Sequence, residues 1–169
     1  MEFLETVLTT HDMKVYSESE YPFNLGVIYN RLAARSLEDP AFEMFLPLVY
    51  WRHEAALTVP GASVKVAPYL YFISNKGRVV NMRNTTDPKF IEWNLDSSGY
   101  PHVVVTIQKK AEPLTIHRAI ACNFLPIPEE LKGMHPKDLI VTHKDNQKTH
   151  FYLDNLKWSL PPDKLNGQH

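Results

Sequence analysis

"VTHKDNQKTHFYLDNLKW", residues 141–158, carries two histidines and closes on Asn-Leu-Lys-Trp, with an acid-and-amide cluster around its turn. Apolar residues alternate with polar ones at either end, and the middle is polar, so the stretch reads as strand, polar turn, strand. Asp145 and Asn146 suit the turn because short polar side chains bond the local backbone and tolerate left-handed conformations. Two imidazoles, His143 and His150, and the amide of Asn155 are thereby gathered around one turn.

Upstream of this hairpin, "HRAIACNFLP" (117–126) repeats apolar residues at helical spacing and stops at Pro126. Before it, "YLYFIS" (69–74), "RVVNM" (78–82), "PHVVVTIQ" (101–108) and "PLTIH" (113–117) are β-branched and aromatic. They are separated by the turn signals "NKG", "DSSG" and "KKAE", which predicts an antiparallel meander. Further upstream, "NLGVIYNRLAARSL" (24–37) has helical periodicity. "PAFEMFLPLVYWRHEAAL" (40–57) opens with a proline at a permissible first-turn position and is divided or kinked by Pro47. Two or three short helices are expected in this front part, with Tyr29, Phe42, Phe45, Tyr50 and Trp51 as helix core. After the hairpin, Pro161-Pro162 followed by Asp163 marks a helix start.

Charge divides the chain at the same place as its turn signals. Residues 1–60 carry four Lys and Arg against nine Asp and Glu, a net of −5, whereas residues 61–169 carry 14 against ten, a net of +4. The Pro- and Gly-punctuated stretch "TVPGASVKVAP" (58–68) lies between them. The expected class is α+β: an acidic helical region of unassigned role over 1–60, then a basic module over 61–169. That module divides into a strand-rich element (69–110) and a hairpin-helix core (111–169). At 169 residues there is room for one good core but not for two full-sized domains.

The single cysteine, Cys122, cannot form an intrachain disulfide, and the Met-Glu-Phe-Leu-Glu start lacks the pattern of a signal peptide. A reducing cytoplasm is the expected compartment. The apolar runs are far shorter than the roughly 20 residues a membrane-spanning helix needs, so no membrane role is indicated. A net charge of −1 argues against a protein whose whole surface binds nucleic acid.

Four elements, taken together, resemble the HNH endonucleases of phage and intron homing type. "VTHKDNQKTHFYLDNLKW" is similar to the family's His-x-Asp-Gly-Asn-Lys turn leading to Asn-Leu-x-Trp. "YFISNKGRVVNM" looks like its upstream Tyr-x-Val-Ser-Asn-x-Gly-Arg-Val DNA-binding element, "SSGYPHVVVTIQ" like its Gly-Tyr strand, and "TIHRAIACNF" like its His-Arg-Leu-Val-Ala-x-x-Phe helix. All four occur in the family's order over roughly residues 69–160, a joint occurrence more specific than any one alone.

The resemblance implies a ββα-metal fold and a metal-dependent DNA endonuclease, in the host cytoplasm if phage-encoded. His143 would be the general base, suited by a pKa near neutrality, and Asn155 the central Asn that orients it. Mg²⁺ or another divalent cation would serve at the leaving oxygen. DNA would be the partner of the basic module, through Ser74, Asn75, Lys76, Arg78, Arg83, Arg118, Lys144, Lys148 and His150. For Ser74 to Arg78 a plain hairpin turn is the companion reading, and for Arg118 it is helix support. The acidic front fits a protein partner or packing against the basic part.

Three positions depart from the family pattern. The metal-ligand position before the base is Thr142, the closing ligand position falls on Lys164, and the turn's Asn-Asn pair becomes His150-Phe151. Asp163 and Asn166 have suitable ligand chemistry nearby. A degenerate HNH fold that binds DNA or a protein without cutting is the alternative reading.

Overall fold

The computed structural model describes residues 25–57, 63–84 and 86–162. Expectations that fall on residues 1–24 or on the 163–169 tail, including Asp163, Lys164 and Asn166, therefore lie outside the described residues.

At the centre is a short helix, α2 (Ile116–Phe124), all nine of whose residues are buried. A helix covered on every face must carry its polar residues into partnerships, and Asn123 and Arg118 of α2 do so. Asn123 donates from Nδ2 to the carbonyls of Val49 (2.7 Å) and Ala119 (2.7 Å), and its Oδ1 accepts from Val49 N–H. Arg118 donates to three carbonyls, those of Trp51, Leu139 (2.8 Å) and Pro136 (2.7 Å). The preceding Thr115 spends its hydroxyl on Tyr50 Oη (2.9 Å) and makes no side-chain cap.

Helix α1 (Leu25–Glu38) packs on α2 through Leu25, Ile28 and Leu32, the buried stripe of an amphipathic helix. After it the chain departs from expectation. Residues 40–57 form not helices but strands β1 (Phe45–Pro47) and β2 (Tyr50–Trp51), followed by a 3₁₀ turn at Glu54–Ala56. Proline forfeits a helical hydrogen bond, yet on a sheet edge its missing N–H costs nothing, and β1 is an edge strand. Backbone groups that a helix would satisfy locally find distant partners: Met44 N–H donates to Asn75 Oδ1 (2.7 Å) and Val49 N–H to Asn123 Oδ1 (3.2 Å).

With β3 (Lys65–Val66), β4 (Tyr71–Ser74), β5 (Val79–Asn81) and β6 (Lys89–Ile91), the antiparallel pairs β2–β3 and β1–β4–β5–β6 form. A second sheet holds β7 (Asn94–Leu95), β8 (Pro101–Ile107) and β9 (Lys110–Thr115) in order. The predicted meander is thus split over two sheets. The β8–β9 turn is Gln108-Lys109, both at positive φ, as in a type I′ hairpin, and it falls earlier than the "KKAE" signal.

Strands β10 (Ile140–His143) and β11 (Leu156–Ser159) form the hairpin read from the opening stretch, with His143 opposite Leu156 and Val141 opposite Trp158. Leu25 and Ile28 of the front share one apolar core with Leu156 and Trp158 of this hairpin. Front and back are also tied by charge, through Arg78–Glu43, Arg52–Glu112 and Lys137–Glu54. Among the described residues, no helix is long and apolar enough to cross a membrane.

Candidate active site

The polar turn between β10 and β11 is organised by one side chain. Asn155 is buried, and its Nδ2 donates to Asp145 Oδ1 (2.9 Å) and to the His150 carbonyl (2.7 Å), while its Oδ1 accepts from Asp145 N–H (3.2 Å). Its own carbonyl accepts from Lys144 N–H (2.7 Å). Two ends of a long turn are therefore pinned to a single residue at the foot of β11. Asn146 takes the left-handed conformation at φ 60°, which Asn tolerates better than most residues.

Asp145 is the second organiser. Besides Asn155, it accepts from Gln147 N–H (2.8 Å) at Oδ1 and bonds His150 Nδ1 (2.6 Å) at Oδ2. The His150 bond, ahead of the Asn155 bond, holds its carboxyl down at about 2, so it is an anion at any working pH.

His143 stands where β10 runs into the turn. Its ring faces inward, 4.8 Å from the ring of His117, which is itself stacked at 4.9 Å on Tyr100. Both imidazoles are buried, and His143 Nε2 and His117 Nδ1 have no hydrogen-bond partner among the described residues. A buried unpaired polar nitrogen costs about 1–3 kcal/mol, and such orphans in a folded protein call for a reason, a catalytic role among them. Burial, ahead of the neighbouring charges of His143 and Arg118, pushes His117 down to about 3, with Asp96 pulling the other way. Burial likewise lowers His143, the Asp145 charge opposing it and His150 adding to it. Both rings are neutral near pH 7, and a neutral imidazole is able to accept a proton.

The predicted DNA-contact residues separate into two sets. Ser74 is fully buried, its hydroxyl accepting from Lys76 and Arg78 N–H (3.1 and 3.2 Å), and Arg118 is spent on its three carbonyls. For these two the contact reading is corrected: the fold consumes their polar atoms. Asn75 is occupied in bracing Met44 and Phe42. Arg78 is exposed but forms a two-point pair with Glu43 (2.9 and 2.6 Å) and lies over the Phe90 ring at 4.4 Å. Arg83 donates to the Thr106 carbonyl (3.0 Å), and Lys76 to that of Pro40 (3.3 Å). Lys148 reaches the Ser98 carbonyl (2.7 Å) over the Tyr100 ring at 4.8 Å. Exposed Lys144, Lys148 and His150 lie on the same turn as the candidate base.

The two hairpins touch through Gly77, whose φ is +84° and where an added Cβ would meet Phe151 Cε1 at 2.7 Å. A cavity of about 610 Å³ opens beside this contact, between α1 and residues 149–154, and His150 and Tyr152 line it, whereas His143 does not.

Among the described residues, no group of three His, Cys, Asp or Glu side chains is gathered to hold a metal ion. Thr142, at the family's ligand position, shares its hydroxyl with Ser159 Oγ (2.9 Å) across the hairpin. The donors described do not fit a cation site. Sequence reasoning assigned no site role to Tyr100 or His117, since nothing in the sequence shows that the Gly99-Tyr100 strand and α2 bring their rings against His143.

No protein-family model matches the chain. It is 35% identical over 86 residues to the H-N-H endonuclease F-TflII of Escherichia phage T5, covering 51% of this chain and 40% of that protein. It is 27% identical over 95 residues to the uncharacterized HNH endonuclease L245 of Acanthamoeba polyphaga mimivirus, covering 56% and 26%. The chain thus spans less than half the length of either relative. A solved structure of the HNH homing endonuclease I-HmuI aligns with a TM-score of 0.44 at 25% identity, over 59% of this chain and 51% of that one.

Proposed function

We propose that this chain, a member of the HNH homing endonuclease family, is a DNA endonuclease that hydrolyses phosphodiester bonds with His143 as general base. The observation that carries the reading is the placing of His143: its ring sits at the end of β10, with Nε2 unpartnered among the described residues, beside a turn fixed by Asn155. In such a reaction His143 takes the proton of an attacking water as the O–P bond forms, and Asn155 keeps base and turn in register. Lys144 and Lys148 supply positive charge for the backbone phosphates, which position the duplex without reading its sequence.

A divalent cation, Mg²⁺ by family resemblance, would neutralise charge at the leaving side when bound. Its ligands would have to include residues outside those described, Asp163 and Asn166 being the candidates. For the acidic front we propose packing against the basic module ahead of an outside protein partner, since Glu43 and Glu54 pair with Arg78 and Lys137.

The test is conversion of supercoiled plasmid to nicked or linear form in Mg²⁺ or Mn²⁺, with EDTA and His143→Ala alongside. Wild type is expected to cut and the variant not; equal inactivity of both would defeat the reading. The commitment of the Thr142 hydroxyl to Ser159 favours the second reading, a fold retained for binding alone. That reading predicts a mobility shift of plasmid fragments that His143→Ala leaves unchanged, without cutting.

A further inference from the structure

Breaking a phosphodiester poses two problems: a water must lose a proton, and the departing 3′-oxygen must not leave as a naked alkoxide. His143 answers the first. At the second, the family's cation position is held here by a threonine whose hydroxyl is already bonded to Ser159.

Another group on the same turn has the chemistry to answer it. His150 replaces an Asn of the family pattern, and both its backbone and its ring are held in the turn. Its backbone N–H donates to the Gln147 carbonyl (3.0 Å), its carbonyl accepts from Asn155 Nδ2 (2.7 Å), and its Nδ1 is bonded to Asp145 Oδ2 (2.6 Å). The ring also lies on Tyr152 at 6.1 Å, 27° from parallel. With Nδ1 tied to a carboxylate, Nε2 is the nitrogen left for an incoming ligand, and the side chain is half exposed. An imidazole fixed in this way by a carboxylate is held in one orientation. His150 and His143 flank the same turn, whose backbone Asn155 bonds at the His150 carbonyl and at Lys144 N–H, the residue after His143.

We propose that His150 is the general acid of the reaction, donating its Nε2 proton to the 3′-oxygen, with Asp145 as its positioning residue. The inference rests on the endonuclease reading. In the step, the water oxygen bonds phosphorus and its proton passes to His143. The P–O3′ bond breaks, and its electron pair takes the proton from His150, giving a 3′-hydroxyl and a 5′-phosphate. One water is consumed, His143 ends protonated and His150 neutral, and solvent exchange restores both.

The test exploits the leaving group. A cleaved site is first mapped on plasmid, then synthesised as a duplex oligonucleotide with either the ordinary 3′-oxygen or a bridging 3′-sulfur at the scissile bond. A thiol has a pKa of about 8.5, far below that of water at 15.7, so a thiolate departs without an acid. His150→Ala is expected to cut the oxygen substrate about 10²-fold or more slowly and the sulfur substrate within a few fold of wild type. His143→Ala is expected to fail on both.

Equal slowing of His150→Ala on both substrates, or no slowing on the oxygen substrate, would overturn the assignment while leaving the endonuclease reading standing. A wild type that cuts neither plasmid nor duplex would overturn both. Thermal melting monitors the fold. If His150→Ala melts below the assay temperature, His150→Gln, which keeps a donor for Asp145, takes its place and is held to the same two rates.

Discussion

The two polar turns of this protein are built from similar residues and put them to opposite use. Between β4 and β5, Ser74-Asn75-Lys76-Gly77-Arg78 turns every polar group inward or onto a neighbour: the hydroxyl is buried, the amide braces Met44, and the guanidinium is gripped by Glu43. Between β10 and β11, Asn155 and Asp145 hold the turn backbone, and His143 Nε2 is left without a partner among the described residues. Turn composition therefore says little about function. What matters is which polar atoms remain after the fold has taken its share.

The strongest way to break this contrast is His143→Ala. Loss of a general base is worth about 10²–10⁴-fold in rate, and plasmid nicking is expected to fall by that much below the variant's melting temperature, which loss of the buried ring also lowers. Next is Asn155→Ala, which strips partners from Asp145, His150 and the turn backbone at a buried position. A loss of about 2–4 kcal/mol is expected in urea unfolding, at about 1–3 kcal/mol for each buried group left unpaired. Gly77→Ala, which links the two turns, is expected to cost about 1–3 kcal/mol through its positive φ and the collision with Phe151.

A third measurement is pH. His117 and His143 have pKa values lowered in the folded protein, so the unfolded chain binds protons that the native chain refuses. Stability is full above the unfolded value near 6.5 and falls as pH drops, for His117 down to about 3. The expected slope is about 1.4 kcal/mol per pH unit for each histidine. His117→Phe is expected to flatten this acid limb in melts between pH 6.5 and 4. If His143 is the base, the rise of nicking activity with pH is expected to lie below the free-imidazole range, because burial lowers its pKa.

The smallest expected effect sharpens the comparison most directly. Lys144→Ala is expected to reduce the salt dependence of DNA binding by about one unit of log–log slope, the value of one phosphate contact. Arg78→Ala is expected to leave that slope unchanged, and Glu43→Ala to raise it by releasing Arg78.

Much of this was legible in the chain itself. Local signals carry the helix 116–124, the hairpin 140–159 and the turn residues Asp145 and Asn146, because the helix closes its bonds within a turn and the hairpin pairs two strands across one polar turn, 13 to 19 positions apart. The 40–57 stretch reads as helical and forms strands for the converse reason: its bonds to Asn75, Asn123 and β4 reach partners 23 or more positions away in sequence.

Pattern and spacing alone establish a hairpin carrying His143 and a central Asn, and a chain whose acidic and basic residues are segregated. Only the tertiary structure decided which charges are free. It paired Glu43 with Arg78, buried Ser74 and Arg118, and pressed Tyr100 and His117 against His143. A side chain's chemistry is local, but whether its donors and charges are spent depends on neighbours that the fold brings in from elsewhere in the chain.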